Sequence, residues 1–218
     1  MEVNDVKLKQ LREIGRKRRY SCYDGYQNIG EFHNGKYETE FVSPYTKSAG
    51  NPNSPVVVLL QDWSSADRLN GNFSQNISDL GYSPELPTNR SLSQLLMTVF
   101  KLELKDVFVT NVFPFIKKGG ISSRLIKKDV NKAFEEFCYP QIKIIAPKLV
   151  ICCGKEAFTA SATFFKIPVK NLLPVGNKFN VDNTMFYHQR HTGYFSLEMN
   201  GGITKAIHDW TEMKSFIK

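Results

Sequence analysis

The sequence predicts an α/β fold: a three-layer α/β/α arrangement around a central four-stranded, mainly parallel sheet. Two observations predict it. Short apolar runs bounded by turn residues alternate with stretches of ten or more residues whose apolar positions recur at helical spacing. The 218 residues, 41% of them hydrophobic, suffice for one sizeable core and are too few for two. A single domain over 1–218 is expected, with 1–42 as an N-terminal helix and an irregular extension.

Apolar positions at Val3, Val6, Leu8, Leu11 and Ile14 place a helix over 1–19. The run Arg16-Lys17-Arg18-Arg19 sets positive charge at its C-terminal end, where the helix dipole favours it. Residues 20–54 hold no sustained period and end in the turn-like Gly50-Asn51-Pro52-Asn53-Ser54-Pro55. Val56-Val57-Val58-Leu59-Leu60 then reads as a buried parallel strand, being short and continuously apolar. Residues 61–90 read as loop, followed by a helix from Ser91 to Leu102 and a second strand at Val107–Asn111. A long helix is expected over 127–145, with Pro140 as a kink or a new start. Leu149–Cys153 forms the third strand, closed by Gly154, and a helix covers 155–165. A fourth strand falls at Thr184–His188, and 201–217 is helical with Ile203, Ala206, Ile207 and Trp210 on one face.

Composition narrows the class. No stretch reaches the roughly 18 apolar residues needed to cross a bilayer, so no membrane partner is expected. The N-terminus is charged throughout and lacks the apolar core of a secretory signal; a soluble, monomeric, cytoplasmic protein is the expectation. The four cysteines, Cys22, Cys138, Cys152 and Cys153, form no C-x-x-C pair and read as reduced thiols. A net charge of +8 and a pI near 9.2 give the electrostatic footprint of a polyanion binder, although many basic proteins bind no nucleic acid.

In parallel sheets ligands bind beyond the carboxyl ends of the strands. Those ends carry Gln61-Asp62, Asn111, Gly154, and the segment from His188 to His191. A carboxylate, an amide and an imidazole around one cleft suit hydrolysis of a bond to a hydrogen-bonding heterocycle. The amide offers a donor and an acceptor side by side. The imidazole can stabilise charge on a leaving group, and the carboxylate can orient water or offset a cationic sugar. Each residue also has a plainer reading: Asp62 as a loop cap, Asn111 as a turn residue bonding its own backbone, His188 as a structural histidine.

The order of these residues resembles the uracil-DNA glycosylase superfamily. Val58-Leu59-Leu60-Gln61-Asp62-Trp63 resembles its first motif, a buried strand ending in Gln-Asp. Val109-Thr110-Asn111-Val112 resembles the strand whose Asn binds the uracil edge. Pro140 to Gly154 resembles the family's helix, Pro-Lys turn and third strand. His191-Thr192-Gly193-Tyr194-Phe195-Ser196 resembles the second catalytic motif. The likeness spans about residues 43–200. It implies catalytic roles for Asp62 and His191, and substrate contacts from Gln61, Asn111 and Phe73, the last an aromatic on which a flipped base stacks. It also implies DNA contacts from Ser64, Arg190, Ser196 and the protruding Phe195, a candidate wedge for the space the base leaves. The implied activity is excision of uracil, or a related deaminated or damaged base, from DNA. A non-catalytic or re-tuned nucleic-acid binder is the alternative.

Departures are visible. Trp63 and Ser64 follow Asp62 where the family usually has residues that exclude thymine, and Thr192-Gly193 replaces Pro-Ser. One branch holds an iron–sulfur cluster on four cysteines. Cys138 stands where the last ligand would be, but Phe113-Pro114-Phe115 occupies the region of another. No metal and no cofactor are therefore expected.

Overall fold

The computed structural model describes residues 3–168 and 174–217. Helix α1 (Val3–Tyr20) opens the chain; Met1 and Glu2, included in the predicted helix, lie outside the described residues. A two-residue strand β1 (Tyr26–Gln27) and three short 3₁₀ turns lead to β2 (Val56–Asp62). Helices α2 (Ala66–Leu69), α3 (Gln75–Leu80) and α4 (Pro87–Leu95) follow. Then come β3 (Phe108–Phe113), β4 (Ile116–Lys117), α5 (Lys127–Ala133), α6 (Tyr139–Ile145), β5 (Leu149–Cys153) and α7 (Lys155–Phe164). The described chain closes with β6 (Lys178–Val181), β7 (Thr184–Gln189), α8 (Tyr194–Glu198) and α9 (Gly202–Thr211).

The sheet has five strands, in the order β3-β2-β5-β7-β6, where the sequence predicts four. β2, β3, β5 and β7 are mutually parallel. The fifth, β6, is antiparallel to β7 and joins it through a tight turn at Asp182-Asn183. Its residues alternate exposed and half-buried, so it has none of the continuous apolar character that marks the inner strands. A second, two-stranded sheet pairs β1 with β4.

Alternation along β2 sends Val57 and Leu59 to one face and Val56, Val58 and Leu60 to the other. The first face packs against α1, α5, α6 and α7, the second against α4 and α9, giving three α/β/α layers. The segment predicted as loop over 61–90 contains two helices and the start of a third. That third helix begins at Pro87 rather than Ser91, because proline's missing N–H costs nothing in a first turn. The long helix over 127–145 is interrupted: a π turn at Phe134–Cys138 joins α5 to α6. Pro140 lies in the first turn of α6, where a widened backbone accommodates its ring and lost donor.

Strand order places a topological switch between β2 and β5. The chain leaves β2 for β3 on one side and leaves β5 for β7 on the other. The crevice beyond the carboxyl ends of β2 and β5 is where such sheets bind ligands.

Candidate active site

That crevice is a cleft of about 1140 Å³. Three strand ends feed it. β2 runs two residues further than predicted, so Gln61 and Asp62 are its last residues and not loop. Gly154 follows β5 with φ 100° and ψ 159°, a conformation open to glycine and not to residues with a Cβ. This turn aims the N-terminus of α7 at the cleft, with Lys155, Glu156 and Thr159 on the wall. Beyond β7, the segment from His191 to Ser196 supplies the facing lip.

Asp62 is almost enclosed, its side chain 11% exposed. Lys117, at the end of β4, brings Nζ to 2.8 Å from Asp62 Oδ2. The pair is ionic, and a carboxylate with two oxygens keeps acceptor capacity beyond this one contact. Burial pushes the Asp62 carboxyl up from the ordinary range; Lys117 and then His191 pull it down, and Glu156 pushes it up again.

His191 is reached by solvent, yet the cleft walls withdraw enough water to move its imidazole down from the ordinary histidine range. Asp62 and Glu156 oppose that movement. Its Nδ1 lies 3.0 Å from the backbone nitrogen of Gly193. A backbone N–H can only donate, so Nδ1 accepts, and the neutral ring carries its proton on Nε2. Gly193 is needed here for space: a Cβ would stand 2.8 Å from Nδ1 and 3.0 Å from Cε1 of His191. Thr192 is buried and donates from Oγ1 to the Thr88 carbonyl at 3.0 Å, tying the loop to the start of α4.

The structure thus brings Asp62 and His191 together, with Gln61, Phe195 and Ser196 on the same cleft. Four predicted site residues lie elsewhere. Asn111 is 0% exposed within β3, opposite Leu60 rather than at the strand tip, and its Oδ1 accepts from Ser43 Oγ at 2.6 Å. β3 continues two residues past it, which carries the amide into the core. Phe73 stacks on Tyr37 beneath the Lys36 ammonium group, in a small aromatic cluster off the cleft. Ser64 is buried against an adjoining pocket of about 190 Å³. Arg190 turns to Asn200 Oδ1 at 2.8 Å and toward Asp209, bracing α8 and α9. His188 is buried with its ring stacked on Phe158, in keeping with the structural reading.

Sequence reasoning missed Lys117 and the cations Arg68, Arg124 and Lys127, which lie on the cleft together with Lys155 of the strand-to-helix turn. Their one signal was the Lys/Arg excess of the whole chain. Tyr45 and Trp63 form aromatic wall, and Trp63 is locked by its indole N–H donating to the Gly81 carbonyl at 2.8 Å.

All four cysteines are free thiols. Burial pushes the Cys152 thiol up to about 12 and raises Cys138 and Cys153 as well, so these three stay protonated. Among the described residues no helix is long and apolar enough to cross a membrane, and no three His, Cys, Asp or Glu side chains are grouped to hold a metal ion.

No protein-family model matches the chain, and no curated protein matches it in sequence.

Proposed function

We propose that this cleft hydrolyses the N-glycosidic bond of uracil, or of a related deaminated or damaged base, in DNA. One observation carries the reading: a nearly enclosed carboxylate at a strand end shares the cleft, and an electrostatic influence, with a histidine whose neutral form must carry its proton on Nε2. Breaking the C–N bond leaves negative charge on the base and positive charge on the sugar. Nε2–H of His191 donates to the developing oxyanion, a contact commonly worth ~2.7–4 kcal/mol. Asp62 offsets the sugar cation and orients the water that attacks C1′. The products are free base and an abasic sugar, the oxygen and both hydrogens coming from that water. Arg68, Arg124, Lys127 and Lys155 provide sites for backbone phosphates around the cleft.

The test uses a uracil-containing oligonucleotide followed by alkaline cleavage of abasic sites. Asp62→Asn and His191→Ala should each slow excision by about two orders of magnitude or more, with DNA binding retained. Parental rates in both variants would overturn the assigned roles.

A second reading, a re-tuned or non-catalytic nucleic-acid binder, is favoured by a separate observation. Asn111 and Phe73, the expected base contacts, are both off the cleft. DNA binding without release of uracil would select it.

A further inference from the structure

We propose that Lys117 is the positioning residue of this site, an ammonium group that holds the Asp62 carboxylate ionised and turned into the cleft; this rests on the catalytic reading of Asp62. Lysine is seldom buried unless paired, and Lys117 is 4% exposed. Its charge meets Asp62 Oδ2 at 2.8 Å and the Ile121 carbonyl at 2.6 Å. The neighbouring Lys118 is exposed, so the arrangement belongs to position 117 and not to a basic run.

The backbone beneath this ammonium group is clamped on both sides. Lys117 pairs antiparallel with Tyr26 in β1 and forms a parallel bridge to Ser65, three residues beyond Asp62. Two residues on, the Gly119 carbonyl accepts from the Asp67 N–H at 3.2 Å. The cation is therefore a fixed charge on a short strand rather than the end of a mobile side chain. It is also joined to the segment that leaves β2.

The surroundings of Asp62 leave this task to Lys117. Glu156 of α7 opposes ionisation, as does burial. His191 aids it only when charged, and a charged ring cannot accept the Gly193 N–H at Nδ1. Lys155 of α7, Arg68 of α2, and Arg124 and Lys127 across the cleft are exposed to solvent, where their fields are screened. Lys117 is the enclosed counter-charge in contact with the carboxylate.

The experiment compares wild type with Lys117→Met and Lys117→Arg over a full pH–rate profile on uracil-containing DNA, with circular dichroism to verify folding. In Lys117→Met, excision at neutral pH should fall roughly tenfold or more, and the acid limb should move to higher pH. Lys117→Arg should keep the limb near its parental place. A folded Lys117→Met with an unmoved limb overturns the proposal. Carbon-13 NMR of the aspartate carboxyl groups, assigned with Asp62→Asn, follows the same titration without substrate. If wild type excises nothing, the functional reading has failed and this arm alone decides: an Asp62 titration that is the same with and without the Lys117 charge overturns the inference. Should Lys117→Met not fold, Lys117→Gln keeps a donor for the Ile121 carbonyl and is read in the same way.

Discussion

The backbone N–H of Gly193 donates to Nδ1 of His191 at 3.0 Å, and only the missing side chain of Gly193 allows the ring so close. The Gly193 backbone has φ −71° and ψ 152°, which any residue can adopt, so the restriction is purely steric. Gly193→Ala should displace the imidazole while leaving the chain folded. Excision should drop about a hundredfold, as expected for a misplacement near 1 Å, with little change in melting temperature. Single-turnover kinetics beside a thermal melt checks both.

The direction of the His191 shift sets a pH dependence. Burial lowers its folded value, so the ring stays neutral through neutral pH and gains its proton only below the ordinary histidine range. Excision should therefore persist to lower pH than an unshifted histidine would allow. The unfolded chain takes up the proton more readily than the folded one. This contribution to stability is thus complete above the unfolded value and declines as pH falls toward the folded one. Melting temperature against pH for wild type and His191→Gln should diverge on that interval alone.

Arg18 is 0% exposed, and its guanidinium meets Glu38 through two parallel contacts, at 2.9 and 2.5 Å, with the Phe41 carbonyl at 3.0 Å. Glu38→Ala leaves this charge enclosed and without its carboxylate. The loss should be ~3–5 kcal/mol in denaturant unfolding. Replacing both partners with apolar residues of similar volume should cost less, which separates the pair's own contribution from the cost of an orphaned cation.

Phe195 is 79% exposed at the cleft lip, beside Tyr194 at 5.6 Å between ring centroids. A side chain with so little to pack against contributes little to the fold. Phe195→Ala should keep the melting temperature and lose about tenfold or more on duplex substrate, with a much smaller loss on a single strand, where no stack has to be opened. Equal losses on both substrates would remove the wedge role.

What was legible in the sequence follows from local physics. β2 and β5 show themselves because burial on both faces makes them continuously apolar, and the longer helices because their stripes repeat, whereas the short α2, α3 and α8 carry too few turns to show one. β6 was missed since Lys178-Phe179-Asn180-Val181 is half polar and short. Asp62 and His191 were found because chain order and strand direction decide which residues end at the crevice. Asn111 and Phe73 depended on where a strand stops and which way an aromatic turns, and both are settled by tertiary contacts such as Ser43 and Tyr37. Lys117 is invisible from its neighbours, because its importance comes from Tyr26 and Ser65, distant in the chain. In the sequence Arg18 is one cation of the basic run that closes α1, and only the fold reveals Glu38 beside it.

The two margins of the large sheet end differently. Along β3, the segment around Ala49 to Asn51 occupies the free side: Val109 N–H donates to the Ala49 carbonyl at 2.8 Å, Asn51 N–H to the Val107 carbonyl at 3.3 Å, and Gly50 bridges Phe108. At the other margin β6 turns antiparallel and sets the Lys178 ammonium group over the rings of Tyr187 and Phe216. An incoming strand from a second molecule finds the groups of Val107 to Val109 already taken on one side, and a short, half-polar, lysine-bearing strand on the other. Such protection guards an all-parallel interior, slow to assemble, against joining its neighbours while it folds.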